Sequence, residues 1–376
     1  MNLSELPTPA LVLDAARVRR NAERMQARVE GMGARLRPHI KTHKCVEVAR
    51  LQTSARASAL TVSTLAEARW FAARGFTDLT YAVPIEPGKF AAAISLARDC
   101  ERLALITDDA EIPAQLNAAA RAANVKLDLF LKVDCGYHRC GVEPGTSEAF
   151  EIPRRIADAS HLRFAGILTH AGHSYHSRSV EELRALARHE RDLMVEFAAA
   201  LRAAGINVPV VSIGSTPTIS TVDHLAGVDE ARPGNYIFFD AFQATLGSCR
   251  FEDCALTVLA SVVHRDSTRR KVVIDAGAIA LSKDRGAADL DPECGYGHVL
   301  DLEGRDLDLR VGSLSQEHGV IEARAGDDDA LFDRLKVGTR LRILVNHSCL
   351  TAAQHPHYNV SEAGRIVDRW QIQRGW

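Results

Sequence analysis

The chain has 376 residues, 46% of them apolar and 25% charged, and a net charge of −2. This is the composition of a folded protein of about two domains, and it excludes a disordered chain. Acidic and basic residues are evenly mixed, which excludes a nucleic-acid footprint and a basic membrane patch. No apolar run approaches the ~18 residues of a membrane helix, and Met1 to Pro7 lack the charged-then-apolar pattern of a secretory leader. The eight cysteines are scattered with no CxxC pair, so they read as reduced thiols of a cytoplasmic protein.

In chain order, a short strand at 10–13 and a helix at 15–29 come first. From 34 to 240, apolar strands alternate with helical segments. The strands are expected at 34–41, 59–63, 79–83, 103–107, 127–133, 164–170, 209–214 and 230–238. Helices are expected at 66–74, 108–123, 147–159 and 180–204, several ending before a glycine that suits a left-handed cap. Eight strand-helix units predict an α/β (β/α)8 TIM-like barrel; an open doubly wound sheet is the alternative. After 245 the helical period fades. Short β runs at 256–264, 271–275, 307–314, 319–323 and 339–345, separated by Gly-, Asp- and Pro-rich turns, predict a mostly antiparallel β domain. The expected division is a barrel at 20–245 and a β domain made of 1–19 plus 246–376. The acidic run Asp327-Asp328-Asp329 reads as a solvated loop.

Barrel enzymes carry their chemistry at the C-terminal ends of strands. The first strand ends in Arg37-Pro38-His39-Ile40-Lys41-Thr42-His43-Lys44. A lysine crowded by Arg37, His39, His43 and Lys44 would have its charged form disfavoured, one route to a Schiff-base lysine; a solvated basic loop is the other reading. The fifth strand ends near Arg139, which could meet an anion or a phenolate. The sixth leads into Thr169-His170-Ala171-Gly172-His173-Ser174-Tyr175-His176, a dense cluster for a purely structural loop. The seventh runs into Gly214-Ser215-Thr216 and the eighth into Arg232-Pro233-Gly234-Asn235-Tyr236. Backbone donors in the loops after strands seven and eight commonly hold phosphate. A lysine, a phosphate cup and intervening Arg139, His170 and Tyr175 together suit pyridoxal 5′-phosphate (PLP). Near the C-terminus, the run 341–350 reads as a strand on which His347 and Cys349 share a face. Imidazole and thiolate suit zinc; a half-buried strand with a core thiol is the competing reading.

The motifs Thr8-Pro9-Ala10, Arg37-Pro38-His39-Ile40-Lys41-Thr42, Thr169-His170-Ala171-Gly172, Ser212-Ile213-Gly214-Ser215-Thr216-Pro217-Thr218, Arg232-Pro233-Gly234 and Asn346-His347-Ser348-Cys349 resemble the metal-activated branch of fold-type III PLP enzymes. That branch holds D-serine dehydratase, D-threo-3-hydroxyaspartate dehydratase and D-threonine aldolase. The resemblance covers nearly the whole chain and implies an alanine-racemase-like barrel with a β domain, usually as a homodimer. It implies Lys41 as the PLP lysine, His170 against the ring, Arg139 near the 3′-oxygen and Tyr175 toward the pyridine nitrogen. Gly214, Ser215, Thr216, Gly234, Asn235 and Tyr236 would bind the phosphate, and His347 and Cys349 the metal. His173, His176 and Gln354 receive no role. Aldolases of the group resemble a His-Cys-Asp pattern, whereas His-Ser-Cys here looks like the dehydratases. Cysteine favours zinc over manganese, magnesium or cobalt. The implied reaction is β-elimination from a D-β-hydroxy amino acid such as D-serine or D-threo-3-hydroxyaspartate, with Lys41 taking the α-proton and the metal acting as Lewis acid on the hydroxyl. Retro-aldol cleavage is the alternative. A racemase would leave His347 and Cys349 without purpose, and a PLP carrier would need no β domain.

Overall fold

In the computed structural model, residues 1–53, 59–322 and 333–376 are described. They form two units: residues 23–234 with 375–376, and residues 1–22 with 235–374. Strand β1 (Ala10–Asp14) belongs to the latter.

The 23–234 unit contains β2 (Arg35–Leu36), β3 (Ala59–Val62), β4 (Asp78–Pro84), β5 (Arg102–Thr107), β6 (Leu127–Lys132), β7 (Leu162–Leu168), β8 (Val211–Ile213) and β9 (Glu230–Ala231). They pair in the order β2-β9-β8-β7-β6-β5-β4-β3, every neighbour parallel. A parallel bridge between His39 and Thr61, with the Thr61 N–H donating to Pro38 O at 2.9 Å, joins the two ends of the sheet. The eight expected strands therefore form the expected TIM-like ring. Four of its helices start on side-chain caps: Thr64, Thr146, Ser179 and Ser215 each accept from the N–H three residues on, satisfying donors that a helix start leaves open. Three helices escaped the sequence reading: Val46–Gln52, Phe90–Ala97 and Thr216–Thr221. Phe90–Ala97 reads Phe-Ala-Ala-Ala-Ile-Ser-Leu-Ala and is too uniformly apolar to show a period.

The strands are uneven. β2 and β9 keep only two residues each and β8 three. The expected strand 34–41 breaks at Pro38 and turns into a 3-10 helix, Ile40–Thr42. The expected strand 230–238 breaks at Pro233-Gly234 and becomes a 3-10 helix, Asn235–Ile237. Where the backbone ladder is short, charged side chains span the strands. Arg37, fully buried, donates through Nε to Glu230 Oε2 at 2.6 Å and through Nη1 and Nη2 to the Asp78 carboxylate at 2.9 Å. Arg35 reaches Glu230 at 2.8 Å, and Ser212 Oγ donates to it at 2.8 Å. The chain of charges continues from Asp78 to Arg102, then to Asp128 at 2.6 Å, then to Arg163 at 2.6 Å. Burial alone would raise the Glu230 carboxyl; Arg37 and Arg35 outweigh it and hold it at about 2.

The other unit adds β10 (Leu256–Asp266), β11 (Lys271–Ile274), β12 (His298–Leu300), β13 (Asp306–Leu314), β14 (Gly319–Glu322), β15 (Arg340–Leu344), β16 (His357–Glu362) and β17 (Arg365–Gln371). Their order is β11-β14-β13-β12-β15-β10-β1-β16-β17, and β11 also pairs with β10. All pairings are antiparallel except β1 with β16, so the sheet is the mostly antiparallel domain expected. β12, β16 and β17 were not foreseen; β17 (Arg-Ile-Val-Asp-Arg-Trp-Gln) is largely exposed and has no clean alternation. Ala323 and the run Asp327-Asp328-Asp329 lie outside the described residues. Among the described residues no helix is long and apolar enough to cross a membrane, and none of the eight cysteines forms a disulfide.

One reading is corrected. The 341–350 run is not a single strand: β15 stops at Leu344, His347 is an extended N-cap, and Ser348–Ala352 is a helix.

Glu230→Gln leaves buried Arg37 with Asp78 as its sole anionic partner, and we expect a loss of about 3–5 kcal/mol in urea unfolding. The Glu230 carboxyl is depressed from 4.5 to about 2, so its contribution is complete above pH 4.5 and lost as pH falls from 4.5 toward 2. The wild-type unfolding midpoint should fall across that window, and the variant's should fall less.

Candidate active site

Lys41 sits in the Ile40–Thr42 turn, with His39 as its N-cap; the Lys41 N–H donates to His39 Nδ1 at 3.4 Å. His39 therefore carries its proton on Nε2 when neutral. The crowd of positive charge expected around Lys41 is dispersed. Arg37 is held by Glu230 and Asp78. Lys44 pairs with Glu67 at 2.9 Å. His43 is buried, accepts from Cys45 N at 3.0 Å and contacts Gln52 Oε1 at 2.8 Å; burial holds it at about 3. The groups whose charge meets Lys41 are instead His39 and His170, both pushed well below the ordinary imidazole value by burial first and the Lys41 charge second. Gly234 packs directly on this turn: a Cβ there would lie 2.8 Å from His39 O and 3.3 Å from Thr42 Oγ1. Any side chain would push the turn away.

Beyond β6 the chain turns on Asp134. Its carboxylate accepts from the N–H groups of Gly136 and Tyr137, each at 2.9 Å, and of His138 at 3.0 Å. Burial would raise Asp134, but these donors outweigh it and lower it. The turn presents Tyr137 edge-on to His170, with ring centroids 6.3 Å apart, and Arg139 over the Tyr137 ring at 5.1 Å. Gly172 makes room for Tyr137, since a Cβ there would lie 2.2 Å from Tyr137 Cε1. His170 Nδ1 donates to Gly214 O at 3.1 Å, which leaves Nε2 with its lone pair. Tyr175 lies half-buried in the 3-10 helix Gly172–His176.

The loops after β7 and β8 are tied together by Glu190, a residue the sequence reading missed. Glu190 is fully buried. Its Oε1 accepts from Ala171 N at 3.0 Å and Gly214 N at 3.2 Å, and its Oε2 from Thr218 Oγ1 at 2.7 Å. It had a signal: it falls on the apolar stripe Leu183, Ala187, Met194, Ala198, Leu201 of helix Val180–Ala203, where a carboxylate needs a special partner. Arg232, also buried, donates to Ser212 Oγ and Thr169 O. Burial brings it down to about 10, so it stays cationic at neutral pH. Ser215 is engaged as a helix cap: its N–H donates to Thr218 Oγ1 and its Oγ accepts from Thr218 N. The barrel unit thus gathers Lys41, His170, Arg139, Gly214 and Gly234.

In the other unit His347 and Cys349 do meet, across a helix start rather than a strand face. His347 Nδ1 is 2.6 Å from Asp284 Oδ2. Burial would lower His347; Asp284 and then Cys349 outweigh it and raise it. Asn235 Nδ2 donates to Asp240 Oδ2 at 2.7 Å, Ser348 Oγ at 3.1 Å and Cys349 Sγ at 3.6 Å. Asp240 Oδ2 also accepts from Ser348 N at 2.9 Å. The Asn235 side chain thus serves the His347–Cys349 turn. Neither Asp284 nor Asp240 was foreseen; Asp240 caps the helix Ala241–Thr245 and Asp284 lies in a loop, both far from residue 347 in sequence. Among the described residues no group of three or more His, Cys, Asp or Glu side chains is arranged to hold a metal.

Residues 13–241 match the family described as alanine racemase, N-terminal domain, and residues 255–361 the putative serine dehydratase domain. The D-threo-3-hydroxyaspartate dehydratase of Delftia sp. (strain HT23) is 43% identical over 377 residues, covering 100% of this chain and 99% of that protein. Its solved structure superposes with a TM-score of 0.95 at 42% identity, covering 100% of both chains. The D-serine dehydratase of Dictyostelium discoideum is 34% identical, covering 100% of this chain and 98% of that protein. A 3-hydroxy-D-aspartate aldolase of Paracoccus denitrificans (strain Pd 1222) is 31% identical, covering 99% and 93%.

Replacing Glu190 by Gln sets an amide NH2 among N–H and O–H donors. We expect Glu190→Gln to cost about 1–3 kcal/mol in urea unfolding and to speed hydrogen exchange at Ala171 and Gly214, while exchange in β4 and β5 stays at the wild-type rate.

Proposed function

This chain belongs to the family that joins an alanine racemase N-terminal domain to a serine dehydratase domain, and from that premise we propose that it is a dehydratase of D-β-hydroxy amino acids. It eliminates the β-hydroxyl of a substrate such as D-threo-3-hydroxyaspartate or D-serine, giving a 2-oxo acid and ammonia. The observation that carries this reading is the end-to-end similarity to dehydratases together with Cys349 in place of the aspartate that marks the aldolase pattern. The similarity to the Paracoccus aldolase favours retro-aldol cleavage as the second reading.

The barrel residues fit PLP. Gly234 allows a close backbone approach beside Lys41, His170 offers a neutral flat ring, and Arg139 and Arg232 supply positive charge. PLP, when bound, supplies the electron sink that stabilises negative charge at Cα. Lys41 is its anchoring amine and the group that takes the α-proton. His170, its Nδ1–H fixed by Gly214 O, would pack on the ring. Arg139, carried by the Asp134 turn, would meet the 3′-oxygen, and Tyr175 the pyridine nitrogen. Gly214, Ser215 and Thr216, with Gly234 and the backbone of Asn235 and Tyr236, would bind the phosphate.

The donor set of His347 and Cys349 fits a divalent metal, with zinc favoured by the soft thiolate. The metal supplies a Lewis acid toward the leaving hydroxyl. Support comes from solved structures of D-threo-3-hydroxyaspartate dehydratase, which include a histidine-to-alanine mutant and a cysteine-to-alanine mutant in the metal-free form. Those two positions lie two apart, as His347 and Cys349 do here.

The purified enzyme should release ammonia with pyruvate from D-serine and with oxaloacetate from D-threo-3-hydroxyaspartate. Glycine and acetaldehyde from D-threonine, with no ammonia from D-serine, would overturn the dehydratase in favour of the aldolase. Lys41→Ala should lower turnover by roughly 10²–10⁴-fold or more. Dialysis against EDTA should abolish ammonia release and added Zn2+ should restore it; full activity in metal-free enzyme would remove the role given to His347 and Cys349.

A further inference from the structure

His347 has two ring nitrogens and one can face a metal, so something must fix which one. Asp284 Oδ2 lies 2.6 Å from Nδ1. An aspartate carboxylate only accepts, so Nδ1 carries a proton, and the neutral ring that ligates a metal has its lone pair on Nε2. Both Asp284 oxygens are engaged in this arrangement: Oδ2 is on the imidazole, and Oδ1 accepts from Gly286 N at 2.7 Å. The loop that carries Asp284 is gripped from both sides of His347. Asn346 Nδ2 donates to Arg285 O at 3.2 Å, and Thr351 Oγ1 donates to Leu281 O at 2.8 Å. Ser282 Oγ accepts from Asp284 N at 3.2 Å. Three residues of the metal-ligand turn, 346, 347 and 351, thus hold the segment from Leu281 to Arg285.

We propose that Asp284 is a positioning residue that fixes the tautomer and ring plane of His347, presenting Nε2 to a divalent cation beside Cys349. The proposal rests on the metal reading of His347 and Cys349 given above. A ligating imidazole whose other nitrogen is held by a carboxylate is a better and better-aimed donor, and losing that partner commonly weakens metal binding 10–100-fold.

The test is a competition for Zn2+ between the full-length protein and a chromophoric chelator, with bound zinc counted by elemental analysis. Wild type, Asp284→Ala, Asp284→Asn and His347→Ala are compared, and thermal unfolding of each metal-free protein is recorded. We expect Asp284→Ala to bind Zn2+ roughly 10–100-fold more weakly than wild type. Asp284→Asn, whose Oδ1 can still accept from Nδ1, should fall between them. Metal-free unfolding should not follow that order, whereas a purely structural role would move it in step. If Asp284→Ala keeps wild-type affinity while His347→Ala loses it, the inference is overturned and the metal reading stands. If His347→Ala also keeps wild-type affinity, the metal reading fails and the inference fails with it.

Discussion

The barrel closes where its backbone is least able to close it. Between β8, β9 and β2 the regular ladder shrinks to two or three residues a strand, and Pro38 and Pro233 remove N–H donors that would have extended it. The buried pair Arg37–Glu230 spans that gap, with Asp78, Arg35 and Ser212 satisfying the remaining donors and acceptors. Such a pair is not a large source of net stability against an apolar alternative, because desolvation offsets most of the attraction. What it does supply is register: a one-residue slip of β2 against β9 would leave a fully buried guanidinium without its carboxylate. Arg37 is followed by the Pro38–His39 segment that bridges to Thr61, and then by the Lys41 turn. The position of the lysine is therefore a consequence of how the ring is closed.

That origin explains why the electrostatics around Lys41 differ from those the sequence suggests. Five basic groups fall within eight residues, yet neighbours in sequence are not neighbours in space. Glu230, Asp78, Glu67 and Gln52 come from other elements and take up Arg37, Lys44 and His43. Distant His170 is brought in instead. The imidazoles that remain beside Lys41 are kept neutral by burial, which leaves them able to pack against a flat ring without adding charge to it.

The eight barrel strands were legible because each is an apolar run of ordinary length bounded by turn residues, and most helices because they carry a period and a cap. Phe90–Ala97, uniformly apolar, gave no period to read, and the two shortest strands were overestimated because 34–41 and 230–238 look extended until their prolines are weighed. Among the site candidates, those in recurrent motifs were picked out: Lys41, His170, Gly214, Gly234, His347 and Cys349. The carboxylates that position them were not. Asp240 caps a short helix and Asp284 sits in a loop, places where an aspartate is unremarked. Glu190 alone broke a pattern, as an acid on an apolar helical stripe.

His347 and Cys349 show how a spacing can be right for the wrong reason. Two residues apart on a strand, side chains share a face; the chain here is not a strand, and what brings the pair together is an extended N-cap followed by a helical turn. A strand face would have been held by its ladder. A helix start of five residues has no such support, so its aim must come from side chains, and the structure provides one for each member: Asp284 for the imidazole, Asn235 for the thiol, with Asp240 fixing both Asn235 and the Ser348 N–H. A two-ligand site depends on such partners more than a four-ligand site does, because each ligand that drifts forfeits half of the protein's hold on the metal. On the metal reading proposed above, the acidic residues around this turn would act through His347 and Cys349 by fixing where those two side chains point.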